Sequence, residues 1–79
     1  MLRLHWEAIC READAEAVEK HGSTWALLNA ECSASSTSCF AYFSGKGENL
    51  KQVAVTVAHQ TDEELKAEIL AAICSFGHQ

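Results

Sequence analysis

The sequence predicts an α+β domain in which three consecutive strands lie between two helices, in the order α-β-β-β-α. Apolar residues recur at helical spacing near both ends of the chain, and the middle holds three strand-forming runs separated by polar turns. Short turns make consecutive strands antiparallel. A chain of 79 residues has room for one domain, 1–79. The simplest architecture packs both helices on one face of a three-stranded antiparallel sheet.

The first element is predicted to be a helix over residues 5–20. Its buried stripe on a 3.6-residue helical wheel consists of Leu2, Trp6, Ile9, Cys10, Ala13 and Ala17. Gly22 supplies a stop that tolerates positive φ. Residues 2–6 would also suit a short strand, because Leu2, Leu4 and Trp6 alternate. The helix is the preferred interpretation, since helical spacing continues from Trp6 to Ala17.

Three strands are predicted at residues 24–32, 39–44 and 50–59, joined by turns at 33–38 and 45–49. The third strand is the clearest, because valines alternate along it with smaller residues. The face of the sheet turned away from the helices is expected to carry small side chains. These are Ala26, Ala30, Ala54, Thr56 and Ala58.

The last element is predicted to be a helix over residues 62–76. Thr61 and Glu64 have the T-x-x-E spacing of a capping box. The expected buried stripe is Leu65, Ile69, Ala72, Ile73 and Phe76, and Gly77 is the expected stop. Residues 69–74 are apolar nearly all round the helix, which favours homodimer formation or binding of a partner. We assign that interface to Leu70, Ala71 and Cys74; the alternative is that this helix merely sits between the sheet and the first helix.

Four cysteines occur at scattered positions without a C-x-x-C pair. Cys10 and Cys74 fall in the predicted helices and are interpreted as small buried hydrophobic residues. Cys32 and Cys39 bracket the serine-rich turn and would face each other across a hairpin, so a disulfide between them is left open.

The N-terminus lacks the apolar core of a signal peptide, and no apolar run is long enough to span a membrane. We therefore expect a cytoplasmic protein.

No residue pattern identifies a reaction. Structural zinc needs paired ligand spacings that the histidines and cysteines lack. Cys10 lies in an acidic helix and Cys74 at a helix C-terminus, and both settings disfavour a thiolate. The acids spread along helix flanks without converging on a cleft, and residues 45–47 lack the phosphate-loop spacing. We expect a protein that is not an enzyme and that uses no cofactor or metal.

The net charge of −5 belongs to the helices. Residues 7–20 contain five acids and two bases, residues 61–79 contain four acids and one base, and residues 21–60 balance to zero. Rows of carboxylates at helical spacing predict docking on a basic protein partner. The predicted partner-binding residues are Glu7, Glu12, Asp14, Glu16, Glu19, Glu64 and Glu68.

The element order also resembles that of the double-stranded-RNA-binding domain. That family needs cations at the start of its last helix, where this chain has Asp62, Glu63 and Glu64. The acids contradict direct binding to nucleic acid.

In size, acidity, compact α/β make-up and lack of catalytic motifs, the whole chain resembles the small acidic anti-CRISPR inhibitors of phages and mobile elements. The resemblance includes no diagnostic motif. It implies binding to a CRISPR–Cas effector, often a type I Cascade subunit, and obstruction of its DNA-binding surface by charge mimicry, in the host cytoplasm if the chain is phage-encoded. An antitoxin or immunity protein that caps a basic toxin would share the same charge pattern. A generic small dimeric interaction module is the remaining alternative.

Overall fold

The predicted α+β architecture is confirmed in a computed structural model, which describes residues 3–35, 37–45, 47 and 49–76. The elements are α1 (Arg3–His21), β1 (Ala26–Cys32), β2 (Ser38–Ser44), β3 (Leu50–Thr56) and α2 (Asp62–Phe76). The three strands form one antiparallel sheet in the order β1-β2-β3. Side chains from both helices and from one face of the sheet share a single hydrophobic core.

The first helix is longer than predicted and rules out the alternative strand from residue 3 onward. It begins at Arg3 and ends at His21, while the predicted stripe residue Leu2 and the predicted stop Gly77 lie outside the described residues. Gly22 terminates α1 with a φ of 66°, and its N–H donates to the carbonyl of Val18 at 3.2 Å. This is the αL helix cap that the glycine predicted.

A β-bulge in β1 corrects the predicted faces of that strand. The register with β2 shifts between Leu27 and Asn29, so that Leu28 is the additional residue and is 60% exposed. One additional residue reverses the alternation of side chains beyond it. Ala26 is exposed as expected, but Ala30 is buried opposite Ala41. The prediction that Ala30 lies on the outer face was wrong for this reason.

The third strand stops earlier than predicted. Regular pairing of β3 with β2 ends at Thr56, although the N–H of Val57 still donates to the carbonyl of Thr37 at 3.0 Å. The chain then turns, with His59 at a φ of 64°. Ala58 is exposed in this turn and does not lie on the sheet.

The core contains most of the helix stripes that the sequence predicted, although Ala72 is only half-buried and does not belong to it. Trp6, Ala13 and Ala17 of α1 are fully buried, as are Leu65 and Ile69 of α2. On the sheet side they meet the inward residues of β2 and β3, namely Cys39, Ala41, Phe43 and Val55. The indole N–H of Trp6 donates to the carbonyl of Phe40 at 3.0 Å, which ties α1 to the central strand.

An aromatic cluster closes one end of the core. Phe76 at the end of α2 packs on Trp25 and Phe43, with ring centroids 5.0 and 5.8 Å away. Gly45, just after β2, passes directly beneath the Trp25 ring. A Cβ at Gly45 would lie 2.6 Å from carbons of the indole, so only glycine allows the two to approach this closely.

We expect Gly45→Ala to lower the free energy of unfolding by about 1–3 kcal/mol, because the new methyl group overlaps the Trp25 ring and forces it to move. Urea unfolding followed by circular dichroism measures the change. In a Trp25→Leu background the same substitution should lower the free energy of unfolding by a clearly smaller amount. Equal costs in the two backgrounds would show that the overlap with Trp25 is not the cause.

Candidate protein-binding surface on the helix pair

The start of α2 is fixed by the predicted capping box. The backbone N–H of Thr61 donates to Oε1 of Glu64 at 2.9 Å, and the N–H of Glu64 donates to Oγ1 of Thr61 at 3.1 Å. Glu64 therefore has a structural role, although its side chain remains at the surface. Asp62 pairs with His5 of α1 through Oδ2 and Nε2 at 2.7 Å, which joins the beginnings of the two helices.

Lys66 of α2 forms an ion pair with a carboxylate of α1, and the charges of acids on both helices act on it. The Lys66 ammonium donates to Oε1 of Glu16 at 3.1 Å across the boundary between α1 and α2. This hydrogen bond lowers the pKa of Glu16, and it raises the pKa of Lys66 together with the charges of Glu16, Glu12 and Glu63. We name the group formed by Glu12, Glu16, Glu63 and Lys66 the acidic seam. Its three carboxylates and one ammonium leave it negatively charged.

Glu19 extends the acidic seam along α1. It lies three residues after Glu16 and seven after Glu12, and these spacings place the three side chains on one face of a helix. Glu12 and Glu19 are exposed and form no ion pair with any described residue. The row Glu12–Glu16–Glu19, which helical spacing predicted, thus adjoins the acids of α2.

The other predicted acids lie apart from the acidic seam. Glu7 accepts from the guanidinium of Arg11, four residues later on α1, at 2.6 Å. Asp14 turns toward the sheet, where its Oδ2 accepts from the N–H of Leu27 at 3.3 Å beside the bulge in β1. Glu68 is exposed on α2, one helical turn beyond Glu64. These residues could meet a partner only through a second surface.

Two features of the seam were not predicted. Glu63 was considered only as an acid that disfavours nucleic-acid binding, and Lys66 was not expected to bridge the helices. The sequence does contain a signal for the bridge between the helices. Asp62 and Lys66 share one face of α2 at i,i+4 spacing, and both contact α1.

The residues predicted for a dimer interface lie on α2. Leu70 is half-buried and packs against the core, Cys74 is half-buried, and Ala71 is exposed. Their role in a dimer stays a prediction.

Cys32 and Cys39 form a disulfide across the β1–β2 hairpin. They are directly opposite each other in the register, immediately before and after the turn. This outcome was left open by the sequence. Disulfides persist mainly in oxidising compartments, so the bond and the expected cytoplasmic location favour different environments.

Cys10 and Cys74 carry free thiols. Cys10 is fully buried on α1, and burial together with the nearby charge of Glu7 raises its pKa to about 12. Its thiol is therefore protonated at neutral pH and shielded from reagents.

We expect native protein to expose no reactive thiol at Cys10, while Cys74 reacts slowly and the Cys32–Cys39 pair reacts only after reduction. Counting of thiols with a chromogenic disulfide reagent, before and after unfolding in urea without reductant, tests this. A Cys74→Ser variant should then show almost no reaction when folded and one thiol when unfolded. Fast reaction of that variant in the folded state would contradict the burial of Cys10.

Within the described residues, no three His, Cys, Asp or Glu side chains are grouped so that they could hold a metal ion. Over the same residues, neither helix combines the length and apolarity that a membrane-spanning segment requires.

The chain matches no family model, and comparisons with curated proteins and with solved structures find no match either. Its function therefore has to be argued from its own surface.

Proposed function

We propose that this chain is a non-catalytic inhibitor that binds a basic protein surface through the acidic seam and Glu19. The observation that carries the proposal is the ion pair between Glu16 of α1 and Lys66 of α2, close enough to Glu12 and Glu63 for their charges to act on Lys66. Lys66 and Lys20 both stabilise the Glu16 carboxylate, so two ammonium groups stand against the four carboxylates of Glu12, Glu16, Glu19 and Glu63. The surplus negative charge is held on two packed helices, which keeps it in a fixed arrangement that a cationic groove can match.

The most specific form of the proposal is an anti-CRISPR protein that binds a CRISPR–Cas effector such as type I Cascade. The channel that holds target DNA in such effectors is positively charged because it must accommodate phosphates. Carboxylates that occupy this channel would compete with DNA for the same cations. Direct binding to nucleic acid is disfavoured by the same charges, and this fits an inhibitor that mimics DNA.

The test is a competition experiment with purified type I Cascade and its target duplex. We expect wild-type protein to reduce the fraction of duplex bound in a gel-shift assay, in proportion to its concentration. Glu31→Lys reverses the charge of a carboxylate that lies on the sheet, outside the acidic seam. It serves as the matched control and should still compete. If a large excess of wild-type protein leaves the bound fraction unchanged, inhibition of Cascade is wrong.

A negative result with Cascade would leave the wider proposal of a basic partner, which capture from the native host tests. In that experiment the wild-type chain and a Glu12→Lys/Glu19→Lys variant are used as paired baits, and bound proteins are identified by mass spectrometry. A basic nuclease toxin retained by wild type and lost by the variant would instead assign the chain to the antitoxin or immunity class.

A further inference from the structure

The two edge strands of the sheet, β1 and β3, differ in how well they are protected from pairing with another strand. The proposed function does not depend on this difference. At the β1 edge, the bulge at Leu28 interrupts the strand, and the side chain of Asp14 occupies the N–H of Leu27. Natural proteins blunt exposed edges with such bulges and blocking groups, because a free edge pairs readily with another strand.

The β3 edge is protected only near its ends, where Gln60 occupies the outward carbonyl of Thr56 and Lys51 carries a charge, and no bulge interrupts its seven residues. The register with β2 is regular from Leu50 to Thr56, and the strand contains no proline and a single charge, Lys51. Of its residues only Val53 and Val55 are not exposed. Within the described residues, the only side chain that hydrogen-bonds the strand's backbone is Gln60, which donates to the carbonyl of Thr56.

The register shows which backbone groups face this edge. Val57 donates to Thr37, so the residues at alternate positions before it, Val55 and Val53, also direct their N–H and C=O toward β2. The N–H and C=O of Gln52 and Ala54 therefore point away from the sheet. A neighbouring strand is the natural partner for such a row of donors and acceptors.

We propose that β3 pairs with β3 of a second copy of this chain, which would extend the sheet to six antiparallel strands. The register centred on Val53 sets Gln52 opposite Ala54 of the second copy as a hydrogen-bonded pair and does not need the Thr56 carbonyl, which Gln60 occupies. It also sets Val53 opposite its own copy in a non-hydrogen-bonded pair, where side chains approach most closely. The half-buried Val53 would thereby be covered.

Charge does not oppose this pairing. In the same register Lys51 lies opposite Val55, so that the two lysines do not face each other, and β3 contains no acid. The acidic seam lies on the helices and remains free to bind a partner. One strand pair buries less than the roughly 1,600 Å² typical of a stable complex, so we expect a weak dimer in the micromolar range or above.

The test combines solution mass with amide hydrogen exchange over about 10 μM to about 1 mM protein. We expect the mass to rise toward that of a dimer, and the N–H groups of Gln52 and Ala54 to exchange more slowly as concentration rises. Those of Val53 and Val55 should be protected throughout. A monomeric mass at every concentration would overturn the proposal, as would a dimer in which Gln52 and Ala54 gain no protection.

Ala54→Pro provides the matched variant, because it removes an outward N–H and leaves the β2 ladder intact. It should fold, as judged by circular dichroism, and stay monomeric, whereas Ala54→Ser should dimerise like wild type. If the proline variant does not fold, Val53→Lys and Val53→Glu replace it. Each should be monomeric alone, and their mixture should form a heterodimer. Undiminished self-association of folded Ala54→Pro, or of the separate Val53 variants, would exclude the β3 edge.

Discussion

Reversing the charge of Glu12 and Glu19 is expected to weaken binding to purified type I Cascade by about 10–100-fold, mainly through a slower association rate. Both side chains are exposed and neither forms an ion pair with a described residue. Their replacement by lysine therefore removes attraction and adds repulsion without breaking an internal contact. Surface plasmon resonance with immobilised effector measures both rates.

The control for this prediction separates local charge from net charge. Glu12→Lys alone and Glu31→Lys alone change the net charge equally, but Glu12 belongs to the acidic seam, whereas Glu31 lies on β1 and accepts a hydrogen bond from the Tyr42 hydroxyl at 3.0 Å. We expect only Glu12→Lys to slow association appreciably. Equal effects of the two variants would mean that total charge, and not the acidic seam, governs binding.

Trp6→Ala is expected to lower the free energy of unfolding by about 3–5 kcal/mol, which is the cost of truncating a buried tryptophan. Trp6 is fully buried at the centre of the core, and its indole N–H is bonded to the carbonyl of Phe40. A domain of this size has a total stability near the low end of about 5–15 kcal/mol, so the variant should be largely unfolded at room temperature. Circular dichroism and urea titration measure this.

Trp6→Phe separates packing from hydrogen bonding at the same position. It keeps an aromatic ring in the core and loses the bond to Phe40, so we expect a smaller loss of about 1–2 kcal/mol. A Trp6→Ala variant within about 1 kcal/mol of wild type would contradict the central position of this side chain.

Local sequence signals predicted the elements because each signal acts within a few residues. The capping box at Thr61 and Glu64 and the glycine stop at Gly22 both formed as expected. The helical stripe from Trp6 to Ala17 is buried for the same reason, since one continuous apolar face must turn toward the sheet.

The faces of β1 could not be predicted because they depend on a bulge in its pairing with β2, which the sequence of β1 does not reveal. Asp14 on α1 holds the N–H of Leu27 next to the bulge, and no alternation within β1 indicates that contact. Because the bulge adds one residue, Ala30 lies on the core-facing side of the sheet instead of the outer side. The Cys32–Cys39 bond was similarly undetermined, because spacing across a turn does not decide whether two thiols become oxidised.

The candidate site was predicted in part. Helical spacing was sufficient to group Glu12, Glu16 and Glu19, because it depends on α1 alone. The contribution of Glu63 and the bridging position of Lys66 depend on how α2 lies against α1. The residue pattern of a single helix does not reveal this packing. Acids that form internal contacts, such as Asp14 and Glu7, could not be distinguished from free ones before the packing was known.

The ionic-strength dependence of the association rate tests the central claim most directly, because steering by exposed carboxylates is screened by salt whereas apolar docking is not. The rate constant for wild-type protein binding to type I Cascade should be measured from about 50 mM to about 500 mM sodium chloride. We predict a steep fall for wild type and a shallow one for Glu12→Lys/Glu19→Lys. A rate that stays constant with salt for wild type, or that falls equally for both proteins, would contradict docking through the acidic seam.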